Sequence, residues 1–101
     1  MVGSLTIRPA RDEDAVALLE LAVVDSQPQL EGEVLVADVE GRPWAAIELA
    51  SGRVVADPFR RTAELVELLR VRARALAAAS QDRDRKRRAG LYAGPARWST
   101  R

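Results

Sequence analysis

Arg53-Val54-Val55-Ala56-Asp57-Pro58-Phe59-Arg60-Arg61-Thr62-Ala63-Glu64-Leu65-Val66 is the stretch on which the fold turns. It reads as a strand, a sharp junction and the start of a long helix. Val54 and Val55 are β-branched and suit a strand. Asp57 is an N-cap residue type, and Pro58 suits a first helical position, where a missing N–H costs nothing. From there Phe59, Thr62, Leu65, Val66, Leu69, Ala73, Leu76 and Ala77 recur at helical spacing as a buried stripe. Arg61, Glu64, Arg70, Arg72 and Arg74 fall on the other face, with Glu67 and Arg70 three apart as an ion pair. The helix is expected to fade over 77–80.

Upstream, the turns at Gly41 and Gly52 divide residues 34–56 into three short strands: 34–39, 44–49 and 53–56. Short glycine-containing connections favour antiparallel hairpins. Val34-Leu35-Val36-Ala37-Asp38-Val39 is apolar on both faces for most of its length, which implies a layer on each side. Two amphipathic helices can supply those layers. Trp44, just after Pro43, reads as a packing residue at the sheet end. Residues 24–33 contain Pro28 and Gly32 and read as a linker. At the front, Leu5-Thr6-Ile7-Arg8 alternates like a strand. Asp12-Glu13-Asp14 then opens a helix with Asp12 as N-cap, and Ala15, Leu18, Leu19, Ala22 and Val23 form its buried stripe. Three neighbouring carboxylates at a helix start do not converge on one point, so capping and not metal binding is their role. The expected fold is α+β, in the order β-α-β-β-β-α, an antiparallel sheet between two helices.

With 101 residues, 48% of them apolar and 31% charged, the chain fits one small domain. It has no Cys, which excludes disulfides and thiolate metal sites. It has no His, which excludes a Ser-His-Asp or Cys-His nucleophile within the chain. No apolar run approaches the roughly 20 residues of a membrane span. The N-terminus lacks a basic segment followed by an apolar one, so no secretory signal is expected and the chain is read as cytoplasmic. The net charge of +1 is unevenly placed. Residues 81–101 hold seven basic and two acidic residues, leaving −4 on residues 1–80. Residues 1–80 are therefore read as an acidic domain and 81–101 as a basic, mostly disordered tail.

The opening Leu5-Thr6-Ile7-Arg8-Pro9-Ala10-Arg11-Asp12-Glu13-Asp14-Ala15 resembles the start of the GNAT N-acetyltransferase superfamily. Residues 34–43 resemble that family's first long hairpin, and Val54-Val55-Ala56-Asp57-Pro58 resembles the exit of its fourth strand. The resemblance covers residues 4–79, the N-terminal half of that fold. It implies acetyl-coenzyme A at the strand–helix junction, held by backbone N–H groups at a helix start with glycines to let the backbone approach. By alignment on Pro58, the motif arginine falls on Arg61, and the glycine positions fall on Glu64 and Val66. Thr62 occupies a further position that is often Gly. Glu64 sets a negative charge where an anion would sit, and Val66 adds bulk, so the cradle reads as lost. The family's fifth strand and the rest of its substrate site have no counterpart here. That leaves the strand at 53–56 as a free sheet edge.

Three functional readings follow. The first is a non-catalytic, GNAT-derived interaction module, pairing with a second copy or a partner protein through that edge, with Arg53, Val54, Val55 and Trp44 at the interface. The alternative is an N-acetyltransferase or acetyl-coenzyme A-binding protein completed by a second subunit. It would bind cofactor near Val55, Arg60, Arg61 and Thr62, with Glu48 as its candidate base. The third places nucleic acid or anionic lipid on the tail through Arg83, Arg85, Lys86, Arg87 and Arg88.

Overall fold

The computed structural model describes the backbone of residues 4–99 and the side chains of residues 4–88. The elements are β1 (Leu5–Pro9), a 3-10 turn (Asp12–Asp14), α1 (Ala15–Val24), β2 (Val34–Val39), β3 (Arg42–Glu48), β4 (Val54–Ala56) and α2 (Ala63–Ser99). The strands form one antiparallel sheet in the order β1-β2-β3-β4. The chain is thus α+β, with a helix on each face of the sheet. Among the described residues no helix is long and apolar enough to cross a membrane.

The two-residue period of a strand sorts the core into two layers. Leu35, Ala37 and Val39 of β2, with Ala45 and Ile47 of β3, pack against Leu65 and Leu69 of α2. Val34 and Val36, with Ala46 and Val55, pack against Leu21 and Ala22 of α1. Every residue of β2 is buried, as its doubly apolar sequence requires. The β2–β3 hairpin closes on Glu40 and Gly41, at φ 53° and 82°. Positive φ at both central residues is the type I′ geometry that matches strand twist, and Gly41 takes it without steric penalty. Across this hairpin Ala37 faces Ala45 but Asp38 faces Pro43, so Trp44 is the extra residue of a β-bulge.

Both helices differ from their sequence reading. Asp12 does not cap α1; the Arg11 N–H donates to Asp14 Oδ2 at 2.7 Å across the 3-10 turn. The face α1 buries is Leu21 and Ala22 with half-buried Leu18, in line with Asp14 of the 3-10 turn, while Ala15, Leu19 and Val23 are exposed. Helix α2 starts at Ala63, not at Pro58, and Phe59 lies outside it, 86% exposed. Its first turns pack on the sheet, with Leu65 and Leu69 buried and Ala73 half-buried; Leu76 and Ala77 are exposed and line an open recess with Pro9, Leu35 and Leu49.

Beyond residue 80, where the sequence is read as a mostly disordered tail with a helical start, the 37-residue α2 continues to Ser99. Its charges are spaced to support a helix. Asp82 pairs with Arg85 at 2.8 Å and Lys86 at 3.3 Å, and Asp84 pairs with Arg87 and Arg88. These i,i+3 and i,i+4 pairs follow an alanine-rich turn of high helix propensity.

Candidate functional site

The β4–α2 junction is built by Asp57. Its Oδ1 accepts the Phe59 N–H at 2.9 Å, and its carbonyl accepts the Arg60 N–H at 3.2 Å. This side-chain-closed turn places Pro58 at a turn position suited to its fixed φ. The first helical bond runs from the Val66 N–H to the Thr62 carbonyl at 2.8 Å, so Thr62 holds the N-cap position. The N–H groups of Ala63, Glu64 and Leu65 consequently lack helical acceptors. Beside them lies an open recess of about 580 Å³ lined by Pro58, Arg60, Arg61, Thr62, Ala63 and Glu64.

Little in that recess is prepared for an anion. Arg60 Nε donates to Asp57 Oδ2 at 3.2 Å, and its guanidinium lies over the Trp44 ring, 4.6 Å from the centroid. Glu64 in the first turn complements the helix dipole, which a bound anion would otherwise do. Val55 pairs with Ala46, and its side chain is fully buried on the α1 side. Of the sequence-derived cofactor residues, Arg60, Arg61 and Thr62 therefore come together here and Val55 does not. Trp44 is half-buried, and its Nε1 is buried without a hydrogen-bond partner.

Glu48 lies four residues further along β3, roughly 13 Å from Trp44 by strand rise. Its carboxylate accepts from the Ser51 hydroxyl and from the Glu31 N–H at 2.7 Å, and Arg53 stands 3.8 Å away. Those contacts, the Ser51 hydroxyl first, hold its pKa below the ordinary carboxylate value. A carboxylate so engaged ties together the loops at this end of the sheet and makes a poor proton acceptor. Among the described residues no three acidic side chains converge on a point that could hold a metal ion.

The edge at β4 is not free along its length. Its outward Ala56 N–H donates to Asp25 Oδ2 at 3.0 Å. Arg53 reaches back along the linker, donating from Nη1 to the Pro28 carbonyl and from Nη2 to the Gln29 carbonyl, both at 2.8 Å. The linker thus packs beside the strand the sequence left open. The basic set Arg83, Arg85, Lys86, Arg87 and Arg88 is exposed on α2; Arg85 and Lys86 pair with Asp82 and Arg87 and Arg88 with Asp84, and the two carboxylates leave the five cations a net charge of +3.

A second polar cluster was not foreseen. Arg8 on β1 donates from Nε to Asp38 Oδ2 at 2.8 Å, and from Nη1 and Nη2 to the two oxygens of Asp14 at 2.7 and 2.8 Å. Asp14 and Asp38 are 7% and 6% exposed, and Asp38 Oδ1 has no partner. The Arg8 guanidinium, helped by the Arg11 N–H, holds the Asp14 pKa down to about 2, and Asp14 in turn pushes the Arg8 pKa up. The one sequence signal was Asp38, a charge inside an otherwise apolar strand.

Comparison with known protein families, with curated proteins and with solved structures finds no match to this chain.

Proposed function

We propose that this chain is a non-catalytic interaction module, derived from the N-terminal half of a GNAT-like domain and working in the cytoplasm, whose partner is a second copy of itself. The observation that carries the reading is the lock on Arg60, which lines the recess at the α2 start but has its guanidinium held by Asp57 and Trp44. Two further features support it. Glu64 stands where the resemblance would place a glycine, at the point where phosphate would approach. Glu48, the candidate base, has its oxygens engaged by Ser51 and the Glu31 N–H. The surfaces this reading assigns to binding are the two sheet edges and the long helix.

The test is an NMR series on the ¹⁵N-labelled full chain, first over protein concentration and then with acetyl-coenzyme A. The reading expects shifts that grow with protein concentration, and none that saturate with the nucleotide. Saturable ligand shifts confined to residues 55–66 would overturn it in favour of a cofactor-binding protein completed by another subunit.

A further inference from the structure

Resting on that self-association reading, we infer that the second copy pairs along β1 and not β4: two β1 strands meet antiparallel about a twofold axis at Thr6, joining the two sheets into one of eight strands. The phase of β1 decides this. The Glu40 N–H donates to the Ser4 carbonyl and the Ala10 N–H to the Val34 carbonyl, each at 2.8 Å. The even residues 4, 6, 8 and 10 therefore turn their backbone groups toward β2, and Leu5 and Ile7 turn theirs outward. Among the described residues nothing donates to or accepts from those outward groups.

The arrangement is complementary to itself. With Thr6 facing Thr6, Leu5 of each copy lies opposite Ile7 of the other. Two such pairs exchange four backbone hydrogen bonds. Pairing stops at Pro9, which has no N–H to offer. The Leu5 and Ile7 side chains stand opposite Val39 and Ala37, on the face that carries α2. Each would meet its counterpart in the other copy and prolong the apolar layer across the axis. Leu5 is 41% exposed, and the helices pack over β2, β3 and β4. No outward charge of the kind that guards edge strands lies beside Leu5 and Ile7, because Arg8 is turned onto Asp14 and Asp38 and meets the edge only at the Pro9 carbonyl, at 3.3 Å, where pairing stops. By contrast β4 has three residues, and Asp25 fills one of its two outward N–H positions. One five-residue strand pair is a small interface, so the dimer is weak and depends on concentration.

Sedimentation equilibrium on the full chain tests the pairing. Leu5→Pro removes an outward N–H that the monomer does not use, and a far-UV spectrum checks that the variant folds. It should weaken dimerisation by about tenfold or more, since two of the four interfacial hydrogen bonds, one from each copy, are lost and the strand is blocked. Val54→Pro, which removes the equivalent N–H on β4, should leave the dimer intact. In this cysteine-free chain Thr6→Cys should oxidise to a covalent dimer, because facing residues of a non-hydrogen-bonded pair lie about 4.5 Å apart at Cα, within disulfide reach. Ser4→Cys, which would face Arg8 of the other copy, should not. A dimer insensitive to Leu5→Pro, with no Thr6→Cys cross-link, would overturn the β1 pairing while sparing self-association. A wild-type monomer up to the highest soluble concentration would remove both.

Discussion

The two edges of the sheet carry one arginine each and treat it in opposite ways. On β1, Arg8 turns across the sheet face and spends its donors on Asp14 and Asp38. At the start of β4, Arg53 turns along the strand and spends its donors on the Pro28 and Gln29 carbonyls of the linker. The first arginine stabilises the core side, reaches the edge only at the Pro9 carbonyl, at 3.3 Å, and leaves the outward groups of Leu5 and Ile7 bare. The second fastens the chain's own linker beside the edge. Whether an edge strand is protected depends here less on its length than on where its neighbouring cation points.

Breaking the inner arginine should have the largest effect. Arg8→Met leaves two nearly buried carboxylates without their cation, a loss of about 3–5 kcal/mol in urea unfolding, large for so small a domain. A loss below about 1 kcal/mol would show that water reaches both carboxylates and that the cluster is not a core element.

Acid should weaken the same cluster. Asp14 falls from an ordinary value of 3.8 to about 2 in the folded chain. A depressed folded pKa means its contribution is complete above the unfolded value and drains as pH falls through the folded one, so stability should drop between about pH 4 and pH 2. Arg8→Met should flatten that part of the pH profile. A profile unchanged by the substitution would place the acid sensitivity elsewhere.

Asp25→Ala leaves the Ala56 N–H without its acceptor at a half-covered edge, a cost of about 1 kcal/mol in the same unfolding assay. It should also strengthen self-association, because β4 then becomes a second pairing edge. Arg53→Ala should do least, below about 1 kcal/mol, since its contacts are near the surface. Amide exchange at residues 28–30 would nonetheless quicken if Arg53 holds the linker in place. Unchanged exchange there would mean the linker stays beside β4 without it.

Much of this architecture was legible in the sequence, and what was not has identifiable causes. The doubly apolar run of β2, the glycine at 41 and the strand-to-helix change near 57 were enough for element order and the two-sided sheet. The buried face of α1 was misplaced because Glu20 is its sole charged residue, so apolar periodicity carries no phase. The start of α2 was misplaced because Asp57 and Thr62 are both N-cap types. The choice was settled by the turn at Asp57 and the Arg60–Trp44 stack, which no local pattern encodes. Arg8, Asp14 and Asp38 are separated by up to 30 positions and meet only through strand register. The charges after residue 80 are solvated as their composition suggests, and their three- and four-residue spacing is what supports the helix there.

The overhang of α2 also makes this helix respond to heat in two ways. Starting a helix is the unfavourable step, and extending one is nearly neutral per residue. The turns packed on the sheet by Leu65 and Leu69 supply the nucleus. Residues 77–99, about 35 Å of helix at the standard rise, only propagate it. Their length is then set by a shallow helix–coil balance, while the turns on the sheet melt with the domain. Warming should shorten the overhang gradually, as a sloping far-UV baseline ahead of a sharp transition, and cooling should regrow it from the sheet outward without the domain ever unfolding.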